Sequence, residues 1–195
     1  MMIPLFPVMV HSTEVSNFKS VEEDLIKYAY NYRKKDSTGR VISNMGGWQS
    51  SFLKLGEENI IKSTIIKVIS SYFHFNKIFD CDIKLDSLWI NINGKGHSNK
   101  LHHHPIADLS GVFWIKTPID CGKIEFSSPH DFVQGKELKI SNPKYAEDNN
   151  AFSSYYFDPH AGRVLIFPSF LYHQVYPNNS NEDRISVSFN LLFHK

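Results

Sequence analysis

The sequence predicts an α+β fold in which helices come first and a sandwich of short antiparallel strands follows. Segments with helical periodicity occupy about the first 75 residues, whereas β-type segments punctuated by Gly, Pro, Asn and Asp fill most of the remainder. Helices followed by a run of strands favour helices packed on one side of a sheet sandwich. About eight short strands make a jelly roll the expected architecture, with residues 1–195 forming a single domain.

Two helices are predicted from the spacing of apolar residues. The first begins at Ser20, whose spacing to Glu23 is that of a capping box, and it ends with the basic residues 33–35. The run Asp36-Ser37-Thr38-Gly39 then breaks the chain. The second helix is expected over about residues 57–75, with one apolar side.

The strands are predicted from β-type composition and from alternation. The last segment alternates most clearly, since Ile185, Val187 and Phe189 share one face and polar residues share the other. The apolar start of the chain is short and lacks basic residues, so it predicts a first strand and not a signal peptide. Residues 128–160 show little periodicity and predict a long excursion. Besides the first strand, the predicted strands are residues 87–93, 110–117, 123–127, 163–168 and the alternating last segment, 184–193.

Composition excludes several classes of protein. Hydrophobic residues make up 42% and charged residues 21% of the chain, which is typical of globular proteins. A net charge of +1 leaves no basic surplus for a phosphate backbone, so nucleic acid is not the expected partner. No apolar run approaches the length of about 18 residues that a membrane span needs. Cys81 and Cys121 form no CxxC motif or disulfide framework, which predicts the reducing cytoplasm.

A run of three histidines is the first candidate site. In an extended chain, residues i and i+2 point the same way, so His102 and His104 could bind one metal ion while His103 points away and tolerates replacement. Pro105 favours the extended conformation at His104. A solvated polar loop explains an isolated His-x-His at least as well, so this pattern alone decides nothing.

The second candidate site lies near the end of the chain. His173 follows an apolar strand, and Arg184 begins the alternating strand with Ser186 on the same face. The planar guanidinium of an arginine suits a carboxylate, and a serine adds a hydroxyl donor. The alternative is that Arg184 pairs with Glu182 or Asp183 at a turn.

The two sites together follow the order expected of a double-stranded β-helix oxygenase. His-x-His, a gap of about seventy residues, a further His and then Arg-x-Ser can hold Fe(II) on one face and a 2-oxoacid beside it. Most of the chain from residue 43 onward also resembles the 2-oxoglutarate/Fe(II)-dependent oxygenase family, found in bacteria and bacteriophages. The segments that carry the resemblance are HHHPIADLSGVFWI, GKIEFSSP, AGRVLIFPSFLYHQVYPN and RISVSFN, with SNMGGWQS and WININGKGHSN upstream.

The resemblance implies a double-stranded β-helix (jelly-roll, cupin-like) core with the N-terminal helices packed on one sheet. It implies an enzyme that uses Fe(II), 2-oxoglutarate and O₂ to hydroxylate an unidentified substrate. A homodimer is left open. By position, His102 and His173 match iron ligands, Arg184 and Ser186 match the 2-oxoglutarate clamp, and Asn190 is expected to line the same region.

One position departs from the wider family, which supplies a carboxylate two residues after the first histidine. Here that position is His104, so three arrangements are open: His104 is the third ligand, Asp108 reaches back, or water fills the gap. Strand geometry favours His104.

Two other functions are compatible with the same sequence. A non-catalytic jelly-roll module with a vestigial metal site would keep the fold without the reaction. A zinc hydrolase would need a general base, for which Glu125 is the nearest predicted strand carboxylate. Trp89 and Trp114 are expected in the core more than at a substrate platform, and residues 46–50 could form either a pocket wall or a plain turn.

Overall fold

Two antiparallel sheets form the body of the protein, so the prediction of a double-stranded β-helix is confirmed. The structure, a computed structural model, describes residues 7–74, 81–130, 140–149 and 151–194. One sheet has six strands in the order β1-β9-β6-β11-β4-β3, and the other has five in the order β2-β5-β10-β7-β8. The strands are β1 His11–Glu14, β2 Asn44–Met45, β3 Trp48–Gln49, β4 Asp82–Asn93, β5 Ser98–His102, β6 Leu109–Lys116, β7 Ile124–Ser127, β8 Ser154–Phe157, β9 Arg163–Pro168, β10 His173–Val175 and β11 Arg184–His194.

The first helix, α1 (Glu22–Lys35), begins later than the capping-box prediction places it. Val21 occupies the N-cap position and has no polar side chain to cap the helix, while the Ser20 hydroxyl donates to the carbonyl of Asn17 and not to the helix. Acidic residues in the first turn and basic residues in the last turn still complement the helix dipole. The capping box at Ser20 was therefore wrong, although the helix itself was predicted correctly.

The second helix, α2 (Ile60–Ile69), begins about three residues later than predicted because it has its own N-cap residue. The side chain of Asn59 caps its first turn by accepting from the backbone N–H of Lys62 at 2.9 Å. After Ile69 the chain continues as a π-helical turn over Ser70–His74. A third, short helix, α3, spans Pro143–Asp148.

The period-2 pattern of β11 divides the protein interior into two regions. Ile185, Val187 and Phe189 belong to a large core cluster that also contains Leu25 of α1 and Ile65 of α2. The helices therefore pack on the outer face of the six-stranded sheet, as predicted. The opposite face of β11 carries polar side chains into the space between the two sheets, and this is where the candidate site lies.

Several short strands escaped prediction. β2, β3, β5, β8 and β10 have two to five residues each, too few for a clear alternation. Within the predicted excursion 128–160, the described residues include α3 and β8, and β8 pairs with β7. Residues 131–139 and 150 lie outside the described residues, as do residues 1–6 of the predicted first strand. Among the described helices, none has the length and apolar character that crossing a membrane requires.

Candidate active site

The three histidines predicted as metal ligands lie together. His102 ends β5 and His173 begins β10, and the two are direct partners in the ladder between these strands. His104 lies two residues beyond the end of β5, where its backbone N–H donates to the carbonyl of Ser169 at 2.9 Å. One ring nitrogen from each histidine lies within 4.8 Å of the others, so a single ion could contact all three. The Ser169 bond, and not a continuous strand, places His104.

Backbone carbonyls fix the orientation of two of these rings. Nδ1 of His102 lies 2.8 Å from the carbonyl oxygen of Lys100, and Nδ1 of His173 lies 2.9 Å from that of Leu171. A carbonyl can only accept, so Nδ1 is the donor and carries the proton. Nε2 is then left with its lone pair, which is the form of imidazole that binds a metal.

The surroundings keep all three imidazoles neutral. Burial, together with the neighbouring His102, lowers the pKa of His173 to about 3 and that of His104 to about 4. Burial also lowers the pKa of His102 below its usual value. Neutral histidines need lose no proton to bind a cation, so the cluster is ready for a metal at pH 7.

These depressed pKa values predict an acid-sensitive metal-free protein. In the unfolded chain His173 takes up a proton below pH 6.5, whereas in the folded protein it resists until about pH 3, so stability is lost as the pH falls through this window. At pH 5 the loss from His173 should be about 2 kcal/mol. Urea unfolding of the metal-free protein at pH 7 and pH 5 measures it. His173→Gln should show a smaller pH 7-to-5 loss, and an equal loss in both proteins would contradict the prediction.

Neither neighbour of the histidine pair joins the cluster. The carboxylate of Asp108 accepts from the backbone N–H of Phe193 at 2.8 Å, which holds it at the end of β11. The ring of His103 packs against Tyr172 with centroids 4.5 Å apart. Of the arrangements considered from the sequence, the geometry therefore favours His104 over Asp108, with His103 turned away.

A cavity between the sheets joins the histidines to the second predicted cluster. Its cavity volume is about 50 Å³, and the empty space rises to about 540 Å³ when the open solvent at its mouth is counted. Its lining includes the three histidines together with Arg184, Ser186, Trp89, Asn91 and Ser188.

Arg184 is almost completely buried in this cavity, with 1% of its surface exposed. Its Nη1 donates to the carbonyls of Cys121, Gly122 and Tyr176, whereas Nη2 has no partner in the described part of the chain. Gly122 has φ +88°, and a side chain there would overlap the Tyr176 carbonyl and Nη1, so glycine allows this close approach. Burial lowers the pKa of Arg184 to about 10, which leaves it charged at pH 7.

An unpaired buried cation is costly, and the acidic neighbours of Arg184 do not relieve it. Glu182 pairs with Lys116 at 2.8 Å, and Asp183 accepts from the hydroxyl of Tyr30 at 3.0 Å. The alternative in which Arg184 pairs with either of them is therefore wrong. Nη2 is a free donor in a cavity, which fits the carboxylate of a ligand.

The other two residues predicted to bind 2-oxoglutarate, Ser186 and Asn190, lie in different places. Ser186 lies in the cavity lining beside Arg184. Asn190 is not part of that lining: its Nδ2 donates to the hydroxyl of Ser87 at 2.9 Å, and its Oδ1 accepts from Ser110 at 2.8 Å. Asn190 thus links β11 to both neighbouring strands, and the expectation that it lines the site is not met.

The structure also decides several minor alternatives. Gly46 and Gly47, with φ of +67° and +72°, form the plain turn between β2 and β3, and Trp48 packs in the helix-side core. Trp89 is buried as expected, but it also lines the cavity and contacts His104, which the sequence did not indicate. Alternation along β4 is the signal that could have identified it, since Trp89 and Asn91 share a face.

Glu125 is not placed to act as the base of a zinc hydrolase. Its carboxylate accepts from Gln174, Tyr176 and Tyr156, and it lies outside the cavity lining. Burial would raise its pKa, but these hydrogen bonds outweigh burial and lower it. Its role is structural, between β7 and β10.

A jelly roll with clustered histidines in a cavity resembles the non-haem Fe(II) oxygenases, which bind the metal through two histidines and a carboxylate, except that His104 stands here at the carboxylate position. The family model described as "Putative 2OG-Fe(II) oxygenase" matches residues 87–190, more than half of the chain. The protein belongs to this family, and it is an enzyme that uses Fe(II), 2-oxoglutarate and O₂. No curated protein sequence is similar enough to this chain to count as a match.

Solved structures show the same fold at low sequence identity. A prolyl-4-hydroxylase from Pseudomonas putida is similar with a TM-score of 0.65 and 13% identity, covering 96% of this chain and 93% of that chain. The viral collagen prolyl hydroxylase from Paramecium Bursaria Chlorella virus-1, in its 2-oxoglutarate complex, has a TM-score of 0.59 and 14% identity, covering 93% and 94%. The carbocyclase SnoK from nogalamycin biosynthesis has a TM-score of 0.67 and 10% identity, covering 94% and 79%.

Proposed function

We propose that the protein hydroxylates a substrate with Fe(II) held by His102, His104 and His173, and with 2-oxoglutarate held by Arg184 and Ser186. The observation that carries the proposal is the shared cavity, which is lined both by the three converging imidazoles and by Arg184, whose buried Nη2 has no partner in the described part of the chain. The donor set suits iron(II), because imidazole is a common ligand of this metal and the three rings leave other positions open.

Bound iron(II) and 2-oxoglutarate would supply the oxidising chemistry, in which O₂ and 2-oxoglutarate yield succinate, CO₂ and a hydroxylated substrate. The protein positions the reactants. His102 and His173 present Nε2 because carbonyls hold their Nδ1 protons, and the buried cation of Arg184 orients a carboxylate at the other end of the cavity. Three neutral ligands leave the full metal charge in place, which favours a dianionic co-substrate.

Hydroxylation is proposed as the reaction type because two proteins of similar structure are prolyl hydroxylases. The carbocyclase SnoK indicates that the same fold also supports a different outcome, so the reaction type needs a direct test. We also infer that the chain works as one domain in the cytoplasm, which its two free cysteines support.

Anaerobic spectroscopy tests the assignment of the ligands. Addition of Fe(II) and 2-oxoglutarate should produce a weak visible charge-transfer band, and His104→Ala should weaken Fe(II) binding on the order of 100-fold. His103→Ala is the matched control, because it removes an adjacent imidazole that lies outside the cluster. A band that survives His104→Ala unchanged would show that His104 is not a ligand.

Succinate formation under O₂ separates the enzyme from the vestigial module. The proposed oxygenase should release succinate and CO₂ in the presence of Fe(II), with a slow uncoupled rate even when no substrate is added. A protein that forms the charge-transfer band but no succinate would be a binding module instead.

A further inference from the structure

A row of neighbouring aromatic side chains leads outward from the histidine cluster to the exposed ring of Phe52. The ring of His104 lies 5.8 Å from that of Trp89, and Trp89 lies 5.6 Å from Phe52. The guanidinium of Arg40 lies over the ring of Phe52, 5.2 Å from the ring centroid. We call these residues, Arg40, Phe52 and Trp89, the outer wall; it is separate from the Arg184 end of the cavity.

The backbone fixes the outer wall in place. The N–H of Arg40 donates to the carbonyl of Gln49 at 2.8 Å, and its carbonyl accepts from Asn44 at 3.2 Å. The residue after Phe52, Leu53, donates its N–H to the carbonyl of Leu88 on β4 at 2.8 Å. The backbone that carries the wall is therefore held in place before any ligand binds, and only side chains need to be ordered on binding.

The outer wall is apolar along its length and cationic at its end. Phe52 is 52% exposed, although an aromatic ring of this size gains by burial. Within the described ranges, no carboxylate forms an ion pair with Arg40, and the nearby Asp36 accepts from the N–H of Gly39. A cation over an aromatic ring is common on protein surfaces, but here the same ring also contacts a residue that lines the reactive cavity.

We propose that the outer wall binds the substrate, and that the substrate is an anion with an apolar body. The apolar part packs on Phe52 and Trp89 beside the histidine cluster, and a carboxylate or phosphate group pairs with the guanidinium of Arg40. This inference rests on the proposed function, since it assigns the substrate class of the same site. It uses residues to which neither the metal nor the co-substrate is assigned.

Nuclear magnetic resonance with three matched probes tests the inference. The probes are 3-phenylpropionate, 2-phenylethyl phosphate and the neutral 3-phenylpropanamide. They are titrated into the metal-free protein and into protein loaded with diamagnetic Zn(II) and 2-oxoglutarate, so that the proposed co-substrate position at Arg184 is filled. The anions should bind about tenfold more tightly than the amide, with the largest shifts at the Arg40 guanidinium and the Trp89 indole N–H. A gain for only one of the anions assigns the substrate group as carboxylate or as phosphate.

Two variants should separate the contribution of the anionic group to binding from that of the apolar body. Arg40→Gln should lower the affinity of the two anions to that of the amide. Phe52→Ala should lower the affinity of all three probes by a similar factor. Arg163→Gln and Phe193→Ala are the matched controls, since they remove an arginine and a partly exposed phenylalanine that do not belong to the outer wall. The controls should leave every affinity unchanged.

The outcomes separate this inference from the proposed function. Equal binding of the three probes, or an anion preference that survives Arg40→Gln, would overturn the anionic substrate even if the charge-transfer band forms. Arg40-dependent binding of the anions in a protein that forms no charge-transfer band would instead overturn the iron-dependent function and leave the anion site standing.

Discussion

Replacing His173 with alanine is expected to abolish Fe(II) binding and all 2-oxoglutarate turnover. His173 is the most buried of the three histidines, at 4% exposure, and it is the direct strand partner of His102. Its loss removes one of three ligands, and even changes outside the ligand shell cost 10–100-fold in metal affinity, so we expect a loss of at least about 100-fold. Anaerobic titration with Fe(II) and the rate of succinate formation measure the effect.

A second variant guards against simple unfolding. The ring of His173 packs against Phe126 and Phe167, so alanine leaves a cavity that also destabilises the fold. His173→Gln fills more of this volume and should still lose the metal. His160→Ala, at an exposed position outside the cluster, is the control and should bind Fe(II) normally. Normal Fe(II) binding by a folded His173→Gln protein would remove this residue from the ligand set.

Replacing Arg184 with glutamine is expected to weaken 2-oxoglutarate binding by about 100-fold or more while Fe(II) binding persists. Truncating one partner of a buried charge pair costs about 2–5 kcal/mol, and about 3 kcal/mol corresponds to slightly more than 100-fold. The histidines are unchanged, so only the binding of 2-oxoglutarate should be impaired. The dependence of the charge-transfer band on 2-oxoglutarate concentration measures this affinity, and Fe(II) binding is measured separately.

A lysine substitution shows whether 2-oxoglutarate binding needs the planar guanidinium of Arg184, with its several donors, or only the positive charge. Arg184→Lys keeps the charge but cannot both donate to the carbonyls around Gly122 and reach a carboxylate, so it should recover only part of the affinity. Ser186→Ala should cost about tenfold or less, as expected for loss of one neutral donor. Arg163→Gln is the control at an arginine outside the cavity. An unchanged 2-oxoglutarate affinity in Arg184→Gln would rule out the assigned clamp.

Alternation made the strands near the site predictable. The period-2 pattern of residues 184–189 separates an apolar face from a polar face, and the structure places the first in the helix-side core and the second in the cavity. Helix starts were harder, because Ser20 and Asn59 both have cap chemistry, and only packing decides which one is used. The backbone of Ser20 lies in a 3₁₀ turn, Phe18–Ser20, which assigns its hydroxyl to Asn17.

The site was predictable where residue type and spacing both act locally. His102, His104, His173, Arg184 and Ser186 all reach one cavity, as the order of the motifs suggested. The position of Asn190 could not be predicted from type and spacing, because its amide forms hydrogen bonds with side chains of the two neighbouring strands. Its ladder partners are Ser87 on β4 and Ser110 on β6, and which residues face each other depends on register.

By itself the sequence determined the two faces of β11, the identity of the proposed metal ligands and the separation of the helical and β parts, because each depends on local periodicity or chemistry. Only the tertiary structure decided that His104, and not Asp108, approaches the other histidines, because the N–H of Phe193 holds the Asp108 carboxylate while the ring of His104 lies beside His102 and His173. It also decided that Arg184 keeps a free nitrogen and that Trp89 connects the cavity to Phe52. Such contacts join residues far apart in the chain, and no local pattern records them.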